Sequence, residues 1–146
     1  MRPFRFAVQL SNAPDGKSWR AKARQLEDLG YSTLFIPDHY GDQWGPLVAL
    51  TVAAEATTSL KVGSLVFDND YRHPVDLAKE AATLDLASEG RLEFGVGAGW
   101  MKSDYDELGI PYDRPGARIE RMVEGLQIMK DLWSTGTSTR SGPTTP

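Results

Sequence analysis

Short apolar segments alternate along the chain with longer segments in which apolar residues recur at helical spacing. The first apolar segment, residues 4–9, is rich in β-forming residues and is followed by a turn-forming cluster at residues 11–16. Short apolar runs of this kind are typical of strands, and a 3.6-residue period is typical of helices. The pattern predicts four strand–helix units, with strands at residues 4–9, 32–36, 60–67 and 91–96.

Turn and cap residues mark the limits of the predicted helices. Gly30 follows the first helical segment as a C-terminal cap. Pro46 and Pro74 stand at the first positions of the second and third helices, and Gly90 ends the third. The fourth helix has the most regular apolar spacing, with Ile119, Met122, Val123, Leu126, Met129 and Leu132.

Strands that alternate with helices pair in parallel, because a helix must return the chain to the edge from which the strand started. The predicted fold class is therefore α/β, with about four β/α units. A closed (β/α)8 barrel needs eight units and ~250 residues, whereas this chain has 146. We expect a partial TIM barrel, with residues 1–133 as its N-terminal half. Residues 134–146 contain no apolar residue and are expected to form a disordered or aberrant tail.

Three explanations of the half-length pattern stay open. The reading frame is truncated or altered, the half-barrel is completed by another chain, or the four strands form an open doubly wound sheet. The abrupt change in composition after Trp133 favours the first explanation. In a half-barrel the first and fourth strands would be open edges, so we expect a homo-oligomer or aggregation through those edges.

Composition narrows the class of protein. The chain is 40% hydrophobic and 25% charged, as is ordinary for soluble globular proteins. A net charge of −4 argues against a nucleic-acid surface, which needs clustered Lys and Arg. With no cysteine and two histidines, no metal site is expected. The sequence shows neither a secretion signal nor an apolar run of ~20 residues, so we expect a cytoplasmic protein without a membrane partner.

The carboxyl ends of the strands are where parallel α/β proteins bind ligands, so the residues after each strand are candidate site residues. Asp38 and His39 follow the second strand. His39 is suited to exchange a proton with a substrate or cofactor, and Asp38 to fix the tautomer of His39 or to bind a polar edge of the cofactor. The alternative is that Asp38 only caps the loop and His39 is a surface residue.

The later strand ends carry weaker signals. After the third strand, Arg72 and the start of the next helix are suited to an anion, unless Arg72 pairs with Asp68 or Asp70. After the fourth strand, glycines alternate through residues 95–99 and would let the main chain approach a flat ring or a phosphate. This run is not a dinucleotide fingerprint, because a long loop rather than a helix follows it.

The combination of these motifs in one order is more specific than any one of them. They are Pro37-Asp38-His39, Val62-Gly63-Ser64-Leu65-Val66 with Tyr71-Arg72-His73-Pro74, the helix at residues 78–85, and Gly95-Val96-Gly97-Ala98-Gly99-Trp100. Together they resemble the luciferase-like monooxygenase family, and within it the coenzyme F420-dependent oxidoreductases. The resemblance extends over residues 4–133.

The resemblance implies a deazaflavin or flavin ring across the strand ends, backed by a bulge in the third strand. It places a cis peptide bond between Leu65 and Val66 in that bulge. It also assigns contacts with the ring or the substrate to Asp38 and His39. Further cofactor contacts are expected from Leu65, Val66, Phe67, Gly97, Ala98 and Gly99.

One position departs from part of the family. Relatives that oxidise a sugar phosphate carry a glutamate where this sequence has Trp100. The departure argues against sugar-phosphate oxidation. Trp44 and Trp100 would instead give the substrate pocket apolar walls, which suit a less polar substrate.

The leading hypothesis is an oxidoreductase in which coenzyme F420 carries hydride to or from a small organic substrate, while His39 handles a proton. One alternative is an FMN-dependent monooxygenase. Another is a catalytically silent half-barrel that associates with a second chain. A barrel hydrolase or aldolase lacks support, because the sequence places no lysine at a strand end and no cluster of metal ligands.

Overall fold

The computed structural model describes residues 4–139. In that range the elements are, in chain order, β1 (Ala7–Gln9), α1 (Gly16–Asp28), β2 (Thr33–Ile36), α2 (Pro46–Ala56), β3 (Lys61–Ser64), β4 (Phe67–Asp68), a 3-10 turn (Asn69–Tyr71), α3 (Pro74–Ala87), β5 (Leu92–Glu93), β6 (Val96–Gly97), α4 (Lys102–Leu108) and α5 (Pro115–Thr135). The chain divides into two units. The first holds the described residues up to Phe67 together with Thr83–Gly95, and the second holds Asp68–Ala82 together with the described residues from Val96.

The sheet of the first unit has four parallel strands in the order β1-β2-β3-β5. Leu34 lies opposite Val8 on one side and opposite Val62 on the other. Val62 in turn lies opposite Leu92. The predicted α/β class and parallel order are confirmed, and β1 and β5 are the edge strands of this sheet, as expected.

The helices of the first unit pack through one large side chain and several small ones. Trp19 of α1 is fully buried, and its indole Nε1 donates a 2.8 Å hydrogen bond to the carbonyl oxygen of Ala49. Ala49 and Ala53 of α2 are also fully buried, and their small size lets α2 pack closely. Each large apolar side chain buried in such a core contributes about 1.5–3 kcal/mol. This packing fixes the sheet whose strand ends carry the predicted site.

The predicted helix limits are confirmed at α1 and α2. The Asp15 carboxylate accepts a hydrogen bond from the Ser18 amide at the start of α1, 2.7 Å away. Gly30 follows α1 with φ at 80°, the left-handed conformation expected of a C-terminal cap. Pro46 is the first residue of α2.

The third and fourth predicted strands are each divided in two. β3 ends at Ser64, and the cis peptide bond expected between Leu65 and Val66 is present before β4 begins. Residues 94 and 95 separate β5 from β6, and the short strands β4 and β6 form a separate two-stranded sheet. In the third strand the interruption falls where the family resemblance implied a bulge. The expectation of a continuous fourth strand was wrong, because an apolar run indicates a strand but does not show where its ladder is interrupted.

Two helical features of the second unit differ from the prediction. α4 falls where a loop was expected, because most of its seven residues are polar or charged and give no apolar period. α5 runs to Thr135, two residues beyond the boundary predicted at Trp133, and Gly136 then adopts a φ of 76°. Of the predicted tail, residues 140–146 lie outside the described residues.

Candidate functional site

The loop that follows β2 carries the predicted pair Asp38 and His39. Asp38 is only 5% exposed, and His39 is half-buried. The side-chain amide of Gln43 donates to the carbonyl oxygens of Pro37 (3.2 Å) and of His39, so the loop is tied back on itself. Asp38 and His39 therefore lie at the strand end, as predicted, on a loop with defined internal hydrogen bonds.

Trp44 lies near the end of the same loop, just before α2. Its main-chain N–H donates to the carbonyl oxygen of Ser11 at 3.0 Å. Its ring lies 5.4 Å from the ring of Trp19, centroid to centroid. One side of Trp44 therefore packs on the core of the first unit, and because the side chain is half-buried, the remaining surface is accessible to a ligand.

The strand end of β3 presents two apolar side chains to solvent. Leu65 is 54% exposed and Val66 is 37% exposed. Two hydrogen bonds hold this segment in place: the amide of Leu65 and the side-chain hydroxyl of Ser64 both donate to the carbonyl oxygen of Ile36, at 3.2 Å and 2.9 Å. An exposed apolar pair on a fixed backbone is a suitable bed for a flat ring.

Phe67, the third predicted contact in this segment, has a different place. It is fully buried, and its ring lies 5.5 Å from the ring of Phe94. Its amide donates to the carbonyl oxygen of Gly95 at 2.8 Å. A contact from Phe67 to a ligand would have to come from its main chain.

Gly95 lets the β3 end and the segment after β5 approach each other. A Cβ atom at this position would lie 2.8 Å from the carbonyl oxygen of Ser64 and 3.2 Å from a methyl group of Val66. Such a close approach leaves no room for any side chain, so glycine is required here for packing within the first unit.

The small residues after β6 belong to the second unit. Gly99 has a φ of 72°, and a Cβ on it would lie 2.0 Å from the hydroxyl of Tyr105 and 2.6 Å from a carboxylate oxygen of Asp68. The neighbouring Trp100 is 67% exposed, and its carbonyl oxygen accepts a 2.8 Å hydrogen bond from the Tyr112 hydroxyl. The glycine at residue 99 is therefore explained by packing inside the second unit.

Sequence reasoning missed a group of charged residues in the second unit. Arg121 of α5 donates to both carboxylate oxygens of Asp70, at 2.8 Å and 2.7 Å, and to the carboxylate of Asp113 at 2.9 Å. The hydrogen bond to Asp70 raises the pKa of Arg121, and together with the hydrogen bond to Asp113 it outweighs partial burial, which acts to lower that pKa. The signal in the sequence was the spacing of Arg118 and Arg121 on one helix face, together with the acidic turn at residues 68–70.

Two tyrosines complete this group. The Tyr71 hydroxyl donates to Asp104 at 2.8 Å, and the Tyr105 hydroxyl donates to Asp70 at 2.9 Å. Burial raises the pKa of Tyr71, helped by its hydrogen bond to Asp104, and burial also raises the pKa of Tyr105, helped by the charge of Asp68. Both phenols therefore stay protonated and act as hydrogen-bond donors at neutral pH.

A cavity of about 290 Å³ lies beside this group, lined by residues 69–74, Ile110, Pro111, Asp113 and Arg121. His73 is at its edge, where the Nδ1 atom accepts a 3.2 Å hydrogen bond from the amide of Val75 in the first turn of α3. The geometry gives His73 a role at the helix start. Among residues 4–139, no group of three or more His, Asp or Glu side chains is arranged to hold a metal ion.

An α/β fold with parallel strands and polar and apolar side chains at the strand ends is the setting of a (β/α) barrel enzyme site. A sequence model of the luciferase-like monooxygenase family matches residues 1–146. The chain belongs to this family. Within residues 4–139, no helix combines the length and the apolar composition needed to cross a membrane.

A monooxygenase and a reductase are among the relatives that are similar to this chain. It is 33% identical to the 4-hydroxyprotoasukamycin monooxygenase of Streptomyces nodosus subsp. asukaensis over 129 residues, which is 84% of this chain and 34% of that protein. It is also 33% identical to the 5,10-methylenetetrahydromethanopterin reductase of Methanopyrus kandleri over 114 residues, 77% of this chain and 32% of the reductase. The chain spans about a third of the length of these two relatives.

Solved structures give the same picture of the fold. The coenzyme F420 dependent tetrahydromethanopterin reductase from Methanopyrus kandleri superposes with a TM-score of 0.82 at 26% identity, covering 97% of this chain and 43% of the reductase. The FMN complex of the oxygenating constituent of 3,6-diketocamphane monooxygenase from Pseudomonas putida superposes with a TM-score of 0.81 at 21% identity, covering 96% and 42%. The chain thus has the fold of a partial TIM barrel.

Proposed function

We propose that this chain carries the N-terminal part of the cofactor site of an oxidoreductase that uses coenzyme F420 to transfer hydride to or from a small organic substrate. The observation that carries the proposal is the exposed apolar pair Leu65 and Val66, held at a strand end next to β2 and its Asp38-His39 loop. Similarity in both sequence and fold to the F420-dependent reductase of Methanopyrus kandleri favours the deazaflavin.

The residues of the first unit fit a flat, partly polar ring. Leu65 and Val66 offer apolar surface to a ring face, and Asp38 offers a nearly buried carboxylate to a polar ring edge. Phe67 would contribute main-chain contact only, because its side chain lies in the core.

From the second unit we assign cofactor contacts to the main chain of Gly97, Ala98 and Gly99. The absence of large side chains at these positions allows the peptide groups themselves to meet a ligand. Trp100 is largely exposed, and Trp44 has surface left after packing on Trp19. We assign both tryptophans to the substrate pocket.

The bound deazaflavin would supply the hydride chemistry, and the protein residues would bind, orient and handle protons. His39 would accept the proton that leaves the substrate oxygen, or donate the proton that joins it, when an alcohol and a carbonyl interconvert. Asp38 precedes it in the loop and would favour one tautomer of its imidazole. Exposed apolar side chains around the ring would exclude water from the reacting atoms.

A second candidate function is that of an FMN-dependent monooxygenase. It is favoured by the 33% identity to 4-hydroxyprotoasukamycin monooxygenase, which extends over 84% of this chain. The apolar bed formed by Leu65 and Val66 would accept an isoalloxazine ring equally well, because the two ring systems have the same shape.

Titration of the chain with coenzyme F420 and, separately, with FMN tests the proposal through the visible absorbance and fluorescence of each cofactor. We expect saturable binding of F420 that is at least about tenfold tighter than that of FMN. Leu65→Asp should weaken binding by at least about tenfold, because a charge would replace apolar contact. Val48→Asp is the matched control, since Val48 is exposed on α2. Tighter binding of FMN would support the second function, and binding of neither cofactor would identify a silent half-barrel.

A further inference from the structure

We propose that Gln43 is a positioning residue for His39, and that it holds the two peptide groups flanking the Asp38-His39 pair so that the imidazole leaves the main chain in one direction. The inference rests on the proposed function, because it concerns the residue to which that function assigns proton transfer. All of the residues that carry it belong to the first unit.

The side-chain amide of Gln43 uses its N–H donors on the main chain of its own loop. Its Nε2 donates to the carbonyl oxygen of Pro37 at 3.2 Å and to that of His39. A primary amide carries two such donors, so a single nitrogen can bind two carbonyl groups at once. The reverse placement of the amide atoms would set Oε1 against two carbonyl oxygens, which would repel it. The two acceptors therefore determine how the Gln43 amide is oriented.

The two carbonyl groups stand at either end of the Asp38-His39 pair. Each belongs to a planar peptide group, one between Pro37 and Asp38 and the other between His39 and Tyr40. With both planes held, main-chain rotation at Asp38 and His39 is restricted, and so is the direction of each side chain. Asp38 is 5% exposed, so packing limits its movement as well. His39 is only half-buried, so its direction depends more on the Gln43 amide.

The residues on both sides of Gln43 are anchored to a neighbouring loop. The carbonyl oxygen of Asp42 accepts a hydrogen bond from the Asn12 side-chain amide at 2.9 Å, and the Trp44 N–H donates to the carbonyl oxygen of Ser11 at 3.0 Å. Both partners lie in the loop that follows β1. The loop after β1 thus holds Gln43 in place, and Gln43 in turn holds the loop after β2.

A tight turn over residues 41–43 precedes this anchor. The amide of Gln43 donates to the carbonyl oxygen of Gly41 at 2.8 Å, and Gly41 has a φ of 91°. This conformation is one that side chains disfavour and that glycine adopts without steric cost. The turn gives the Gln43 side chain access to the carbonyl groups at the start of its own loop.

The test compares Gln43→Met and Gln43→Glu with Gln25→Met. Methionine has nearly the length of glutamine but no N–H donors, and glutamate keeps the shape but presents only oxygen atoms to the two carbonyl groups. Gln25→Met makes the same exchange at an exposed position of α1. Far-UV circular dichroism and thermal unfolding show whether each variant keeps the fold.

NMR of the imidazole C–H groups reports on His39 directly, because His39 and His73 are the two histidines of the chain. His73 belongs to the second unit and serves as the internal reference. The unaltered chain and Gln25→Met should give one set of His39 signals. In both Gln43 variants the His39 signals should broaden or split, while those of His73 stay unchanged. A uniform loss of stability would instead affect both histidines.

Hydrogen–deuterium exchange followed by mass spectrometry measures how firmly the loop is held. In both Gln43 variants exchange in peptides that cover residues 37–45 should accelerate by at least about tenfold, while peptides from β3 keep their protection. Neither measurement needs a cofactor, so both decide the positioning role even if the proposed function fails.

Titration of each variant with coenzyme F420 and with FMN separates the two proposals. Affinity for whichever cofactor the unaltered chain binds should change by less than about threefold in Gln43→Met, because Gln43 acts on the proton-handling residue and not on the ring bed. The bound cofactor should also shift the His39 signals of the unaltered chain. Binding without that shift would contradict the proposed function, whereas the imidazole signals and the exchange rates decide the role of Gln43.

Three results would overturn the inference. Unchanged His39 signals in Gln43→Met would show that His39 is oriented without Gln43. Unchanged signals in Gln43→Glu would show that the shape of the side chain matters and its hydrogen bonds do not. Equal broadening of the His73 signals, or faster exchange in every peptide, would make Gln43 a residue of general stability.

Discussion

Arg121 and Asp70 form a two-point ion pair, with Nε 2.8 Å from Oδ1 and Nη2 2.7 Å from Oδ2. The Asp70 side chain is almost fully buried, and the remaining Arg121 nitrogen reaches Asp113 at 2.9 Å. A pair with this geometry differs from an ordinary surface ion pair, because neither charge can be rehydrated easily if its partner is removed. The pair joins the turn after β4 to α5.

Arg121→Met should destabilise the protein by about 2–4 kcal/mol, because it leaves a buried carboxylate without its cation. Urea unfolding at neutral pH measures the change. The double variant Arg121→Met with Asp70→Asn should lose less stability than Arg121→Met alone, since no uncompensated charge is then buried. Lys102→Met is the control, because it breaks an exposed pair with Asp106 and should change the free energy of unfolding by less than about 1 kcal/mol. Equal effects of Arg121→Met and Lys102→Met would contradict the prediction.

Glu27 of α1 ties the segment before β3 to the helix, and this contact should depend on pH. Its carboxylate accepts hydrogen bonds from the amides of Thr58, Ser59 and Leu60 at 2.9, 2.6 and 2.9 Å. Partial burial acts to raise the pKa of Glu27, but the hydrogen bonds outweigh it and lower the pKa from 4.5 to about 2. The stabilisation is therefore present above pH 4.5 and is lost as the pH falls toward 2.

Glu27→Gln should lower the free energy of unfolding by about 1–2 kcal/mol at neutral pH, after allowance for solvent screening. The difference in the free energy of unfolding between Glu27→Gln and the unaltered protein should shrink as the pH falls from 4.5 to 2. Over this range Glu27 becomes protonated in the folded protein as well as in the unfolded chain. Chemical unfolding at a series of pH values measures this. Glu55→Gln, at an exposed position of α2, is the matched control. A cost that stays constant down to pH 2 would show that the charge is not involved.

Much of the fold follows from the sequence, because local chemistry decides it. Helix limits at Gly30 and Pro46 follow from backbone requirements. The parallel pairing of the strands follows from their alternation with helices. α4 escaped prediction because its side chains are mostly polar, so that helix carries no apolar signal. The division of the strands near Leu65 also left no apolar signal, and only the family resemblance pointed to it.

The candidate site was predictable only in part. Asp38 and His39 lie directly after a strand, so their place at the strand end follows from topology. Phe67 has the same apolar character as its exposed neighbours Leu65 and Val66, and sequence alone does not tell a core contact from a ligand contact. Arg118 donates a hydrogen bond to the carbonyl oxygen of Ala98, 20 residues earlier in the chain, and such long-range contacts leave no local signal.

Gly63→Ala should disrupt the pairing of β3 with β5. A Cβ at residue 63 would lie 2.2 Å from the carbonyl oxygen of Glu93, a main-chain atom that cannot move without displacing β5. We expect the free energy of unfolding to fall by about 3 kcal/mol or more, because main-chain atoms cannot shift easily to relieve the clash. Gly45→Ala is the matched control, since a Cβ there meets nothing within 4 Å. Thermal unfolding of both variants measures the difference, and similar melting temperatures would refute the close approach.

His39→Ala should reduce turnover of the proposed reaction more than it reduces cofactor affinity. Loss of a proton-handling group typically costs about 100-fold or more in rate, whereas cofactor affinity should change by less than about threefold. His73→Ala is the control, because that side chain binds the first turn of α3 through the Val75 amide. Unchanged turnover in His39→Ala would assign His39 to the loop scaffold.

The chain should self-associate through its edge strands. β1 and β5 flank the sheet of the first unit, and Phe4 and Phe6, next to β1, are 91% and 69% exposed. Main-chain groups without ladder partners beside exposed aromatic rings favour pairing with a second copy. Sedimentation velocity at several concentrations should show a concentration-dependent rise in the weight-average sedimentation coefficient.

Phe6→Lys should lower that rise, because a charge at the edge opposes strand pairing and removes apolar contact surface. Leu29→Lys places the same charge at a 66% exposed position that follows α1 and belongs to no strand. It should leave association unchanged, which separates an edge effect from a general effect of added positive charge. If both variants reduced association equally, the driving force would be surface hydrophobicity in general. A chain that stays monomeric at every concentration would mean that the exposed edges of β1 and β5 do not pair in solution.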